Sequence, residues 1–121
     1  MAIVVAVADN SEGTAALYAA ISEARRFDTN LVVINLALHD LDVAELPTDV
    51  PIEVIERIGR DDRDPVQAVF DELATHEVSK LVLGIRHRSR VGKALLGSVT
   101  QRLILDSPVP VLAVQAEHRQ P

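Results

Sequence analysis

Five short runs of almost uninterrupted apolar residues divide the chain: Ala2–Ala8 (AIVVAVA), Leu31–Leu38 (LVVINLAL), Ile52–Ile58, Lys80–Gly84 (KLVLG) and Pro110–Val114 (PVLAV). Runs of this length, rich in valine and isoleucine, read as strands buried on both faces, as in a parallel sheet. The third is weaker, since its alternation runs Ile52, Val54 and then Glu56, and this predicts an edge strand. Between the runs, apolar residues recur at helical spacing. Ala16, Leu17, Ala20, Ile21 and Ala24 form one stripe, with Ser11 placed to cap the helix. Asp64-Pro65 opens a second helix, with an N-cap, proline at the first helical position and Gln67 as the return partner. Val66, Val69, Phe70 and Leu73 then follow at i, i+3, i+4 and i+7. A third helix starts at Ser98, with Gln101 completing a capping box, and stops at Ser107-Pro108. Residues 39–51 are acidic and broken by Pro47 and Pro51, with room for a turn or two of helix over Asp40–Leu46.

Strands alternating with amphipathic helices predict an α/β fold: an open five-stranded parallel sheet, Rossmann-like, with helices on both faces. No internal repeat, low-complexity tract or linker interrupts the pattern, so residues 1–121 are expected to form one domain. A chain of 121 residues can hide roughly two-thirds of its unfolded surface.

Composition narrows the function. Apolar residues make up 48% and charged residues 25%, the mix of an ordinary globular chain rather than a disordered one. The absence of cysteine excludes a disulfide framework, a thiolate zinc site and a thiol nucleophile. No apolar run approaches the ~18 residues of a spanning helix, and Met1 to Ala8 lacks the basic start of a signal peptide. A cytoplasmic protein with no membrane partner is the expectation. Tyr18, Phe27 and Phe70 are the only aromatics and all fall in helical segments, which leaves no platform for stacking bases or a flavin ring.

The net charge of −6 disfavours nonspecific nucleic-acid binding, but its distribution says more. Residues 1–79 hold 16 acids and 5 bases, whereas residues 80–102 hold 6 bases and no acid. If that basic island folds onto one spot, it is a focused anion site.

In doubly wound sheets ligands bind outside the carboxyl ends of the strands, where the strand order reverses. The candidates are therefore Ala8-Asp9 after the first strand, Leu36 near the end of the second, and the segment that Gly84 opens. That segment carries Arg86, His87, Arg88, Arg90 and Lys93 and closes on Gly97-Ser98, followed by Val99 and Thr100. Glycines at its two ends let the backbone turn and approach a ligand closely. Gly97-Ser98 places helix-end amides and a hydroxyl at one spot, which suits a phosphate.

These residues resemble the universal stress protein family from about Ala2 to Val114. That family carries Gly-x2-Gly-x9-Gly-Ser/Thr after its fourth strand, and Gly84, Gly97 and Ser98 fall on three of those positions. His87 stands at the second glycine. Asp9-x-Ser11 matches the adenine-side carboxylate motif, and Pro108 to Val114 (PVPVLAV) matches the closing strand. The resemblance implies strand order 3-2-1-4-5 and a homodimer joined through the last strand. It also implies a stress-response regulator that binds an adenine nucleotide. By this resemblance the expected ligand is ATP with its Mg2+, with no cofactor required. The positions it assigns to the nucleotide are Ala8, Asp9, Leu36, Gly84, Arg86, His87, Arg88, Gly97, Ser98, Val99 and Thr100.

The family also contains members that bind no nucleotide, so a dimeric scaffold remains the alternative, with the basic loop meeting an acidic partner. A weak ATPase ranks third. No carboxylate pair, Ser/His/Asp set, Walker pattern or metal-spaced histidine cluster is evident, and an enzyme is not expected. Asp61, Asp62 and Asp64 read as a polar loop ending in a helix cap rather than as a magnesium site. His39, His76 and His118 read as surface residues. At His87 a ring stands where the family has no side chain; it obstructs a ribose or, when protonated, donates to a phosphate.

Overall fold

The computed structural model describes residues 1–8, 11–37, 41, 43–56, 64–85 and 97–115. Five strands, β1 (Ala2–Val7), β2 (Asn30–Asn35), β3 (Ile52–Glu56), β4 (Val78–Ile85) and β5 (Val111–Gln115), form one sheet in the order β3-β2-β1-β4-β5. Every pairing is parallel. Among the described residues three helices connect them, α1 (Ser11–Phe27), α2 (Pro65–Thr75) and α3 (Ser98–Asp106).

The alternation of β1 explains the layers. Ala2, Val4 and Ala6 point to one face, where Val66, Val69 and Leu73 of α2 and Leu103 of α3 cover them. Ile3, Val5 and Val7 point to the other, against Ala16, Leu17, Ala20, Ile21 and Ala24 of α1. The predicted stripe of α1 is thus its buried face. Among the described residues no helix is long and apolar enough to cross a membrane.

Several local expectations change. The run at Leu31–Leu38 leaves the sheet after Asn35, because the Asn35 side chain accepts from the Ala37 amide at 3.0 Å and turns the chain. Of the helix expected over Asp40–Leu46, the described part is a single 3-10 turn at Val43–Glu45. Ser11 lies inside the first turn of α1 rather than before it, and its hydroxyl donates to Glu12 Oε1 at 3.0 Å. At α2 the cap is as expected, with Asp64 Oδ1 accepting from the Val66 amide at 3.0 Å. Gln67 does not return to it. Its amide reaches forward one turn to Asp71 Oδ1 at 2.8 Å.

At the C-terminus of α1, Asp28 turns the chain at φ 53°, one of the few residue types that enters this region at modest cost. Arg25 forks onto Asp49 with bonds of 2.6 and 3.0 Å, tying the helix end to the crossover before β3. This hydrogen bonding holds the Asp49 carboxyl below its ordinary range.

His76, half-buried after α2, staples that helix to the edge strand. Its Nδ1 lies 2.9 Å from the Glu72 carbonyl, and its Nε2 lies 3.5 Å from Glu53 Oε1. The bond to the Glu72 carbonyl, helped by the two carboxylates, raises the imidazole pKa above its ordinary value. A raised folded-state pKa means the stabilisation is full below the unfolded value of about 6.5 and fades as pH rises through the folded value. Urea titrations at a series of pH values should show stability falling on the alkaline side of that window. His76→Gln should remove this component, and an unchanged pH profile in that variant would assign the dependence to other groups.

Candidate functional site

The carboxyl ends of β1 and β4 are neighbours at the centre of the sheet, and β2 flanks β1 on the other side. The first strand's successor, Ala8, is exposed, and Leu36 is half-buried. The Leu36 amide donates to the Val7 carbonyl at 2.9 Å, so the ends of β1 and β2 are joined directly.

Gly84 pairs with Val114 within β4, and its lack of a side chain serves the packing of α1. A Cβ there would fall 2.0 Å from the Glu12 carbonyl oxygen and 2.4 Å from its carbon, which are backbone atoms that cannot swing aside. Gly13 meets the same constraint from the helix side, where a Cβ would lie 2.0 Å from the Ala8 carbonyl oxygen. The first turn of α1 is therefore seated on the ends of β1 and β4, and this gathers Ala8, Glu12, Gly13 and Gly84 at one point. Gly13 was not among the residues expected from the sequence. A glycine inside a helical pattern is its only mark there.

Gly97 behaves differently. It is the N-cap of α3 at φ −70° and ψ 163°, dihedrals open to most residues, and among the described residues nothing lies within 4 Å of a Cβ built on it. Its place displaces the expected capping box. Ser98 is the first helical residue, and a box needs its serine one position earlier, outside the helix. The first turn closes through Gln101 N–H to the Gly97 carbonyl at 2.9 Å, and Gly97 has no side chain to cap the amides that follow. Ser98 is exposed, and Val99 and Thr100 are half-buried. Since α3 runs back along the sheet after β4, this start lies on the same side as the strand ends above.

Asp9, Arg86, His87 and Arg88 lie outside the described residues, as do Arg90, Lys93, Asp61 and Asp62. Two bases of the expected island are committed elsewhere. Lys80 binds Glu23 of α1 at 2.6 Å and sits 4.8 Å from the centre of the Phe27 ring, while Arg102 bonds Asp64 at 3.1 Å. With Oδ1 on Val66 N and Oδ2 on Arg102, Asp64 is a helix cap and ion-pair partner. Among the described residues no group of three or more His, Asp or Glu side chains is placed to hold a metal ion.

Sequence reasoning also passed over Asn35 and Glu56. Asn35, at 1% exposure, is the polar residue in the described core. Its Nδ2 donates to Glu56 Oε1 at 2.7 Å, and Glu56 Oε2 accepts from the Leu41 amide at 3.4 Å. The signal was an asparagine inside an otherwise apolar strand, near its carboxyl end.

A sequence profile described as the Universal stress protein family matches residues 41–115. A protein named Universal stress protein from Mycolicibacterium smegmatis is 38% identical over 128 aligned positions, spanning 93% of this chain and 96% of its own. Among solved structures, the universal stress protein from Archaeoglobus fulgidus superposes with a TM-score of 0.68 at 23% identity, covering 94% of this chain and 98% of that one. Universal stress protein UspA from Lactobacillus plantarum gives 0.60 at 18% identity, covering 94% and 97%. These structures share the fold.

The two glycines of the basic segment should respond unequally to a methyl group. Gly84→Ala forces α1 off the sheet, and overpacking of this kind costs about 1–3 kcal/mol or more. Gly97→Ala meets no described backbone and should cost less, about 0.5–1 kcal/mol, because alanine is a poorer N-cap than glycine. Thermal unfolding of both variants checks this, and equal losses would mean that Gly84 has room to relax.

Proposed function

The chain belongs to the universal stress protein family, and from that premise we propose that it is a stress-response regulator that binds an adenine nucleotide, ATP, at the switch point of its sheet. The observation that carries this reading is the start of α3. A helix N-terminus without a side-chain cap faces the carboxyl side of the sheet, where amides and the helix dipole favour an anion.

In this reading Ala8, Asp9 and Leu36 take the base side. Gly84 seats α1 beside the ribose position, Gly97 leaves the phosphates room, and Ser98, Val99 and Thr100 offer a hydroxyl and helix-end amides to the phosphates. Arg86 and Arg88 add charge, and His87 stands where a glycine would admit the sugar. Mg2+ would arrive with the ATP rather than reside in the protein. The role is binding, in the cytoplasm, without chemistry on the nucleotide.

The test is to denature the purified protein and identify what it releases by mass spectrometry, then to titrate ATP and adenosine by calorimetry. An adenine nucleotide near stoichiometry is expected. Neutralising Arg86 and Arg88 together should weaken ATP several-fold and adenosine little, since exposed charge contacts are worth about 0.3–1 kcal/mol each. No released nucleotide and no heat with ATP would replace this reading with that of a nucleotide-free scaffold.

We also propose a homodimer joined through β5. That strand is a sheet edge on which Leu112 is 36% exposed, and Leu105 of the neighbouring helix is 71% exposed. An open apolar edge is relieved by pairing with a second copy. Sedimentation across micromolar concentrations should give twice the chain mass, and a constant 13.1 kDa would overturn the dimer.

A further inference from the structure

The two ion pairs that draw on the basic segment differ in strength. Lys80 and Glu23 meet at 2.6 Å with both side chains largely buried. Arg102 and Asp64 meet at 3.1 Å through one guanidinium nitrogen, with side chains 56% and 45% exposed. An exposed pair held by one nitrogen is weak, weaker than the two-bonded fork that Arg25 makes on Asp49. Of Lys80 and Arg102, only Arg102 can readily be drawn away by another anion.

Its position suits such an exchange. α2 follows β3 and α3 follows β4 in a parallel sheet, so both helices start on the carboxyl side of the strands. Asp64 caps α2 there. Arg102 lies four residues after Ser98, one turn down the same face of α3, and long helical side chains lean toward the helix start. Its bond to the α2 cap shows that it leans that way here. The guanidinium thus lies at the start of α2, whose cap is a carboxylate, while the start of α3, one turn above it, has no side-chain cap.

We propose that Arg102 is a polyphosphate-responsive switch: it rests on Asp64 in the free protein and transfers to the phosphate chain of a nucleotide seated at the start of α3. Asp64 is then an internal competitor, and the site favours ATP over AMP. The inference rests on the nucleotide reading above and adds a residue outside the positions assigned there to the phosphates. Arginine pairs with phosphate through two parallel N–H bonds, a better match than the one it gives up. A single phosphate held by the helix amides has little left for a second partner, whereas a chain of three carries charge beyond them.

An exchange of partners gives two substitutions opposite signs. Asp64→Asn keeps a cap on α2, because asparagine caps as well as aspartate, and it releases Arg102. The measurements are calorimetric titrations of ATP, AMP and adenosine into the whole chain at one salt concentration. Asp64→Asn should raise ATP affinity about two- to fivefold, the range an exposed pair is worth, with AMP changed by less and adenosine unchanged. Arg102→Gln should lower ATP affinity about fivefold and AMP affinity less than twofold, with Arg102→Lys falling between wild type and Arg102→Gln. In the Arg102→Gln background, Asp64→Asn should change ATP affinity by less than about twofold, since only the loss of a nearby negative charge remains. If Asp64→Asn does not fold, the ATP-to-AMP ratio of the Arg102 variants decides alone. A fall in ATP affinity on Asp64→Asn would mean that the pair merely holds α3 in place, and would overturn the exchange. Equal losses of ATP and AMP on Arg102→Gln would overturn it too, and either result leaves nucleotide binding standing. Wild-type protein that binds neither ATP nor AMP would overturn the nucleotide reading, and this inference with it.

Discussion

The first turn of α1 lies so close to the ends of β1 and β4 that neither Gly13 nor Gly84 could carry a methyl group without meeting backbone 2.0 Å away. Much else depends on that contact. It fixes the angle at which α1 leaves β1, and so sets Ala16, Leu17, Ala20, Ile21 and Ala24 over Ile3, Val5 and Val7. A glycine inside a helix costs roughly 0.5–1 kcal/mol relative to alanine. The close seating offsets this by keeping the apolar stripe in register with the sheet. The same contact places a helix start at the centre of the sheet, where the strand order reverses. Packing and the proposed site thus fall under one constraint, and a change made to improve helix propensity at Gly13 would act on both.

The two sheet edges are managed in different ways. At β3, Glu53 and Glu56 put charge on the edge, and both are engaged, Glu53 with His76 and Glu56 with Asn35. Charged edges resist pairing with another chain. At β5 the exposed positions are Leu112, Ala113 and Gln115, without a charge among them. One edge is closed to association by its chemistry and the other is left open to it. This asymmetry, rather than the amount of apolar surface, is what favours β5 as the proposed dimer seam.

Fold and order were legible because each strand is a short apolar run and each helix carries a clean stripe, patterns that burial on two faces imposes on sequence. Helix starts were less legible. A serine followed three residues later by glutamine reads as a capping box wherever the helix begins, and at Ser98 the box fails because Gly97 already holds the cap position. Asp64-Pro65 succeeded because proline fixes the first helical position by itself. Gly84 and Gly97 both stood out in the sequence, and the structure gives them different surroundings: Gly84 is bare for α1, whereas no described residue comes within 4 Å of a Cβ on Gly97. Asn35 and Glu56 were missed because their partnership crosses two strands 21 residues apart, a relation that only the sheet register creates.

Charge in this chain has to be weighed by distance. At physiological salt, screening reduces exposed interactions beyond roughly 8 Å, so the overall −6 says little about the field at any one point. Lys80 and Arg102 belong to the basic segment in sequence, yet each neutralises an acid of another element, Glu23 or Asp64. The positive potential proposed at the switch point therefore draws on the remaining bases and on the start of α3. The helix end differs from the side chains in kind. Its partial charge is carried by backbone amides already fixed in direction, so ordering them on a ligand costs no rotamer freedom, whereas each arginine must surrender about 2 kcal/mol of side-chain entropy. Arginines can raise the rate at which an anion arrives and widen the range of anions accepted. The direction in which a phosphate is held would come from the amides after Gly97, which α3 fixes before any ligand arrives.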